Sequence, residues 1–216
     1  MRELSILSRL EDREAKDKEL AEEAIKNKEL LHELFNGVSS ANPRIKFGSA
    51  KILRIISERN PKMLYPSMEF FVNLLDGGNN ILKWNAMDII ANLTVVDSHN
   101  KFNRLFKKFY GYLYEGSLIT AGHVVDNSGT IALAKPELQD EITKELLKVE
   151  EIPLTTEECR NILISKTMKA FDVYYDKIKE KDEVISFVKR QLKNSRKATK
   201  AKAEKLLEKL EKRGTK

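Results

Sequence analysis

The side chains of this chain whose types and spacing could do chemistry are three histidines, one cysteine, one tryptophan and a set of spaced lysines. His123, Asp126 and Ser128 fall within six positions and are the residue types of a base, an orienting acid and a nucleophile. A hydrolytic triad needs its base to bridge the other two groups. Three residues this close on one straight helix project in different directions, so no catalytic residue is assigned. His32 and His99 stand far from that cluster. No Cys/His pair has metal-ligand spacing, and Gly77-Gly78 lacks the Lys-Ser/Thr that follows in a phosphate-binding loop. Neither a metal nor another cofactor is therefore expected. Cys159 is the lone cysteine, which excludes an intramolecular disulfide and fits an inert thiol in a reducing compartment.

The basic residues recur with more order. Lys101, Arg104 and Lys108 fall at i, i+3 and i+7, opposite the apolar stripe of Phe102, Phe106, Phe109 and Leu113. Lys144 and Lys148 follow, and then Lys189, Arg190 and Lys193. Together with Tyr112, an aromatic that could edge a groove, these are the candidate partner-binding residues. Such a stripe could neutralise phosphates with a salt-dependent affinity or dock an acidic peptide. Glu137, Asp140 and Glu141 interrupt it and give the surface mixed charge. Trp84 and Asp88, at i and i+4 on one helix, are the other pair suited to a ligand.

The elements that must position these groups repeat. Asn42-Pro43-Arg44-Ile45-Lys46-Phe47-Gly48-Ser49-Ala50-Lys51-Ile52-Leu53 opens an amphipathic helix, and the layout returns at Asn79-Asn80-Ile81-Leu82-Lys83-Trp84-Asn85-Ala86-Met87-Asp88-Ile89-Ile90. Lys46 matches Lys83, Ser49 matches Ala86, Ala50 matches Met87 and Leu53 matches Ile90. Self-similarity at this period marks a solenoid of stacked units. Helical hairpins are expected at 43–59 with 62–76, at 80–96 with 100–114, at 117–134 with 136–149, and at about 156–178 with 182–193. Asn42, Asn79, Ser117 and Thr155 or Thr156 stand at the starts as caps. On the second helix of the first pair, Met68, Phe71, Val72 and Leu75 form one apolar stripe, and Phe70 and Leu74 add another. A helix apolar on two sides is packed between neighbours. Asn127-Ser128-Gly129 occupies positions that are apolar in the earlier copies, which means either a close helix approach or a loosened turn.

The whole chain, 1–216, thus reads as one all-α domain. Residues 1–41 form a polar N-terminal capping pair, 42–193 the repeats, and 194–216 a basic C-terminal helix. That helix sets Ala203, Leu206, Leu207 and Leu210 on one face, to fold back as a cap or to meet another chain. Net charge is +6, but from Lys189 to Lys216 there are twelve Lys/Arg and three Glu, so the remaining residues carry a slight excess of acid. The first residues become charged too soon for a signal peptide, and no apolar run reaches the length of a membrane span. A cytoplasmic protein is expected.

The layout Asn42-Pro43-x-Ile45-Lys46-x-x-Ser49-Ala50-x-x-Leu53 resembles the HEAT repeat, with Asn for the usual Asp and Lys for the usual Arg. The resemblance is good at 42–53 and 79–90 and fades toward the C-terminus. It implies a right-handed superhelical solenoid of about five hairpins, whose second helices line a concave face that commonly holds protein or nucleic acid. The expected function is a non-catalytic scaffold for a protein or peptide, with nucleic-acid binding through the basic groove and tail as the alternative. A HEAT-like enzyme family, the alkylpurine DNA glycosylases, uses Trp and Asp in such a face. Trp84 and Asp88 make that a remote variant, since Trp84 matches Phe47, where the repeat places a large apolar residue in any case.

Overall fold

The structure, a computed structural model, describes residues 5–12 and 16–214, with only the backbone of the last two. Every regular element among the described residues is helical. The front segment, expected as a pair, holds three helices, α1 (Ile6–Asp12), α2 (Asp17–Lys26) and α3 (Lys28–Gly37). Residues 1–4 and 13–15 of the expected capping pair, and the last two residues of the tail, lie outside the described residues. Then come α4 (Pro43–Arg59), α5 (Pro61–Leu64), α6 (Met68–Leu75), α7 (Asn80–Leu93), α8 (Lys101–Gly111), α9 (Leu118–Ala134), α10 (Gln139–Leu147), α11 (Glu157–Tyr174), α12 (Lys181–Arg190) and α13 (Lys197–Gly214). The long helices α4, α7, α9, α11 and α13 begin at residues 43, 80, 118, 157 and 197, at intervals of 37, 38, 39 and 40.

The first four of these starts are each held by a short polar side chain that satisfies one of the orphan N–H groups of a first helical turn. The backbone N–H of Arg44 donates to Asn42 (2.9 Å), that of Leu82 to Asn79 (3.1 Å), that of Thr120 to Ser117 (3.2 Å) and that of Cys159 to Thr156 (3.1 Å). Asn194 does the same for Arg196 (2.9 Å) just ahead of α13. The shorter helices depart from expectation. Residues 62–76 do not form one helix, because Pro66 sits in a tight 3-10 turn at Tyr65–Ser67 that separates α5 from α6; proline lacks the N–H an interior position requires. Further 3-10 turns tighten the ends of α7, α8, α10, α11 and α12.

By internal packing the chain divides into two units, Met1–His99 and Asn100–Lys216. In the first, α4 is the central helix, with α2, α3 and α7 against it, and α6 packs on α7. The matched positions Ser49 and Ala86, Ala50 and Met87, and Leu53 and Ile90 are all buried. In the second unit α11 packs between α9 and α13, and α12 touches both α10 and α13. Its core holds Phe102, Phe109, Tyr110, Phe171, Tyr174 and Phe187. Ala203, Leu206 and Leu210 are buried as well, so the leucine face of the last helix folds back on its own unit.

Of the two readings of Asn127-Ser128-Gly129, the structure selects close approach. α9 runs unbroken through the segment. A Cβ on Gly129 would lie 2.9 Å from Val173 Cβ on α11. Ser128 Oγ donates to the Val124 carbonyl at 2.8 Å and accepts from Tyr110 Oη at 3.0 Å, so its polarity is met inside the core.

Candidate partner-binding surfaces

Among the described residues, seven ion pairs between separate elements run in one direction along the chain. In the second unit Lys166 pairs with Asp126, Lys179 with Asp140 (2.6 Å), Arg190 with Glu150 (2.6 Å), Arg196 with Glu158 (2.7 Å) and Lys209 with Asp172 (2.6 Å). In the first unit Lys51 pairs with Asp17 (2.5 Å) and Arg59 with Glu22 (2.7 Å). In every one of these the carboxylate sits on the earlier element and the cation on the later one. Arg9 with Glu23 (2.5 Å) has the opposite order, within the front segment.

This network decides what the anticipated basic stripe can do. Arg190 makes a two-pronged contact with Glu150, which also accepts from Gln191 at 2.7 Å; that carboxylate raises the guanidinium pKa above its ordinary value. Lys148 donates to Glu145 at 2.8 Å, and its pKa is raised by that hydrogen bond. Asn103 reaches Glu137 (3.1 Å), and Tyr114 Oη reaches Glu145 (3.1 Å). Arg104, Lys144, Lys189 and Lys193 are exposed, while Lys101 and Lys108 are half-buried. The surface of α8, α10 and α12 therefore carries interleaved charge. Tyr112 is corrected outright: it is buried, at 7% exposure, and cannot edge a groove. The 3-10 turn Tyr112–Tyr114, at three residues per turn, sets Tyr112 and Leu113 inward and leaves Tyr114 outside.

An apolar groove of about 690 Å³ opens in the first unit, walled by α3 on one side and by α5, its 3-10 turn and α6 on the other. Leu31, Phe35, Met63 and Phe70 form its apolar lining, all half-buried. The Phe35 ring meets Phe70 edge-on at 5.1 Å and lies 5.8 Å from Phe71, which stiffens the floor. Lys28, His32 and Lys62 stand exposed around it, with Asn60 and Ser67, and no carboxylate lines it. Asn36 Nδ2 and His32 Nδ1 are 3.1 Å apart, which orients that imidazole. The sequence carried one trace of this site: the second apolar stripe of α6, at Phe70 and Leu74. Leu31 and Phe35 come from the front segment, which the sequence marks as a polar cap.

A second, basic cleft of about 230 Å³ lies between α11 and α13, lined by Met168, Lys169, Asp172, Lys202, Lys205, Leu206 and Lys209. Lys202 is half-buried and donates to the Ser165 carbonyl at 3.2 Å. Its pKa is depressed by burial first and then by the neighbouring charges of Lys169, Arg196 and Lys166.

The groups singled out for catalysis do not converge. Asp126 is exposed and pairs with Lys166, while Ser128 is buried against Tyr110. Trp84 and Asp88 are both half-buried on α7. Cys159 is half-buried near the start of α11. A network the sequence did not signal joins Tyr65 Oη to buried Asp97 (2.6 Å) and the His99 N–H to Tyr65 Oη (3.1 Å), tying the loop after α7 to the turn after α5. No group of three His, Cys, Asp or Glu that could hold a metal ion occurs among the described residues. Nor is any described helix long and apolar enough to cross a membrane. Comparison with protein-family models, with curated proteins and with solved structures finds no match to this chain.

Proposed function

We propose that this protein is a non-catalytic docking module, built as a HEAT-like α-solenoid of a reducing, cytoplasmic setting, that holds an acidic peptide segment of a protein partner by an apolar side chain. The solenoid reading is supported by the near-regular intervals between long helices and by their shared polar caps. It is supported too by the packing of α4 on α7, α9 on α11 and α11 on α13. In that reading α3 and α6 are second helices, the class that lines the concave face.

The observation that carries the function is the groove at Leu31, Phe35, Met63 and Phe70. Its volume takes one large apolar side chain with the backbone around it, and such anchors supply most of the energy of peptide recognition. Lys28, His32 and Lys62 select acidic flanks, which raise the association rate and discriminate between partners. The interleaved charge of α8, α10 and α12 likewise suits a protein surface better than a phosphate backbone.

A displayed library of peptides selected against the full chain tests this. Enriched sequences should carry one Leu, Phe or Met flanked by Asp and Glu. Met63→Glu should abolish capture, because it places a carboxylate in the groove. Lys28→Glu with Lys62→Glu should remove the preference for acidic flanks, and Lys144→Ala should change neither. Enrichment that ignores Met63→Glu rejects the reading.

A further inference from the structure

One flank of α13 gathers lysines. Thr199, Ala203, Leu206 and Leu210 are buried. Lys202, Lys205 and Lys209, at i, i+3 and i+7, line the cleft shared with α11. Glu204, Glu208 and Glu211 do not line it. From α11 come Lys169 and Asp172. Asp172 is committed to Lys209, while Lys169 and Lys205 are exposed with no carboxylate partner among the described residues. Four lysines thus share a cleft with one carboxylate. Lys166 and Arg196 add to the field, although each has its own counterion in Asp126 and Glu158.

Setting Lys202, Lys205 and Lys209 side by side on one flank places like charges one turn apart, which is unfavourable. Half-burying Lys202 among like charges costs more still, and an incoming anion would relieve both. We propose that the α11–α13 cleft binds the phosphate backbone of nucleic acid, without reading sequence, through Lys169, Lys202 and Lys205.

Chemistry on the same surface separates this ligand from other polyanions. The lysines of α13 recur about once per turn, roughly 5 Å along the helix, as suits a linear array of charges. The cleft is lined by no arginine fork and no aromatic ring, the groups that read or stack bases, so contact stops at the phosphates. A bilayer would require an open apolar face, but Leu206 and Leu210 are buried. An acidic peptide would want an anchor pocket, and Met168 and Leu206 here are closed. The site lies wholly within the second unit and is independent of the peptide groove.

Fluorescence anisotropy with the full chain and labelled duplex DNA of about 20 base pairs, from about 50 to 300 mM salt, tests the proposal. Three phosphate contacts predict a slope of log affinity against log salt of about −3. Lys169→Gln with Lys205→Gln should reduce that slope by about two and weaken binding about tenfold near 100 mM salt. Both side chains are exposed, so the melting temperature should hold. Lys107→Gln with Lys177→Gln, both exposed and outside the cleft, should leave binding unchanged. Absence of binding at the lowest salt, or wild-type binding by the 169/205 variant, overturns the proposal. Equal binding to vesicles rich in phosphatidylserine, lost in the same variant, overturns the nucleic-acid assignment in favour of a lipid surface. Peptide capture through Met63 is read separately and is unaffected by either result.

Discussion

Tyr110 and Tyr174 are the largest fully buried side chains, and burial pushes the Tyr110 phenol far above the ordinary range, the bond with Ser128 easing it only partly. Its hydroxyl donates to Ser128, which donates in turn to the Val124 carbonyl, so the polar chain ends on backbone. Ser128→Ala should leave the phenol without a partner and cost about 1–3 kcal/mol. Combining it with Tyr110→Phe should recover much of that loss, because no orphaned donor then remains. Urea denaturation of the two singles and the double gives the coupling, and strictly additive losses would contradict it. At this scale the sequence was half legible. It showed that Ser128 is small where its counterparts are apolar, but the partner, eighteen residues away, follows only from the packing of α8 against α9.

The helices themselves were more readable. Capping residues, the Asn-Pro start and the 3.6-residue spacing of apolar positions are local signals, and α4 runs over the very span they indicated, Pro43–Arg59. The errors came where a local feature was overlooked or a neighbour had the deciding vote. Pro66 broke a helix whose apolar stripe ran on unchanged, and a 3-10 turn moved Tyr112 from the surface into the core. The basic stripe can be listed by residue, and Glu145, at i, i+3 from Lys148, is a local sign of that lysine's neutralisation, whereas Glu150, forty residues before Arg190, declares itself only in three dimensions. The α9–α11 contact offers a test of packing. Gly129→Ala should cost about 1–3 kcal/mol through overpacking, since its new methyl meets Val173 at 2.9 Å. Val173→Gly, which removes the Cβ together with both Cγ atoms, should cost about 1 kcal/mol alone as a helical glycine and should restore most of the overpacking loss in the double variant. Thermal melts of the three variants decide it, and a Gly129→Ala chain as stable as wild type would mean the helices part easily.

Across the molecule, two carboxyls couple the polar network to acid. Hydrogen bonds from Arg9 hold the Glu23 carboxyl below its ordinary pKa, and those from Ser195 and Asn161 do the same for Glu157. A carboxyl depressed in the folded state contributes stability above its unfolded pKa of about 4.3 and loses it as pH falls through the folded value. Glu157→Gln should therefore melt slightly below wild type at neutral pH, with the gap closing as pH drops beneath about 4. A gap that widened in acid would contradict the sign. Exposed pairs of this kind are each worth about 0–1 kcal/mol, so the directional ion pairs add little to total stability. Their consequence lies in discrimination. With the acid on the earlier element and the base on the later one, a helix slid or inverted against its neighbour would set like charge against like or strand a cation, so these pairs count against wrong packings while adding little to the right one.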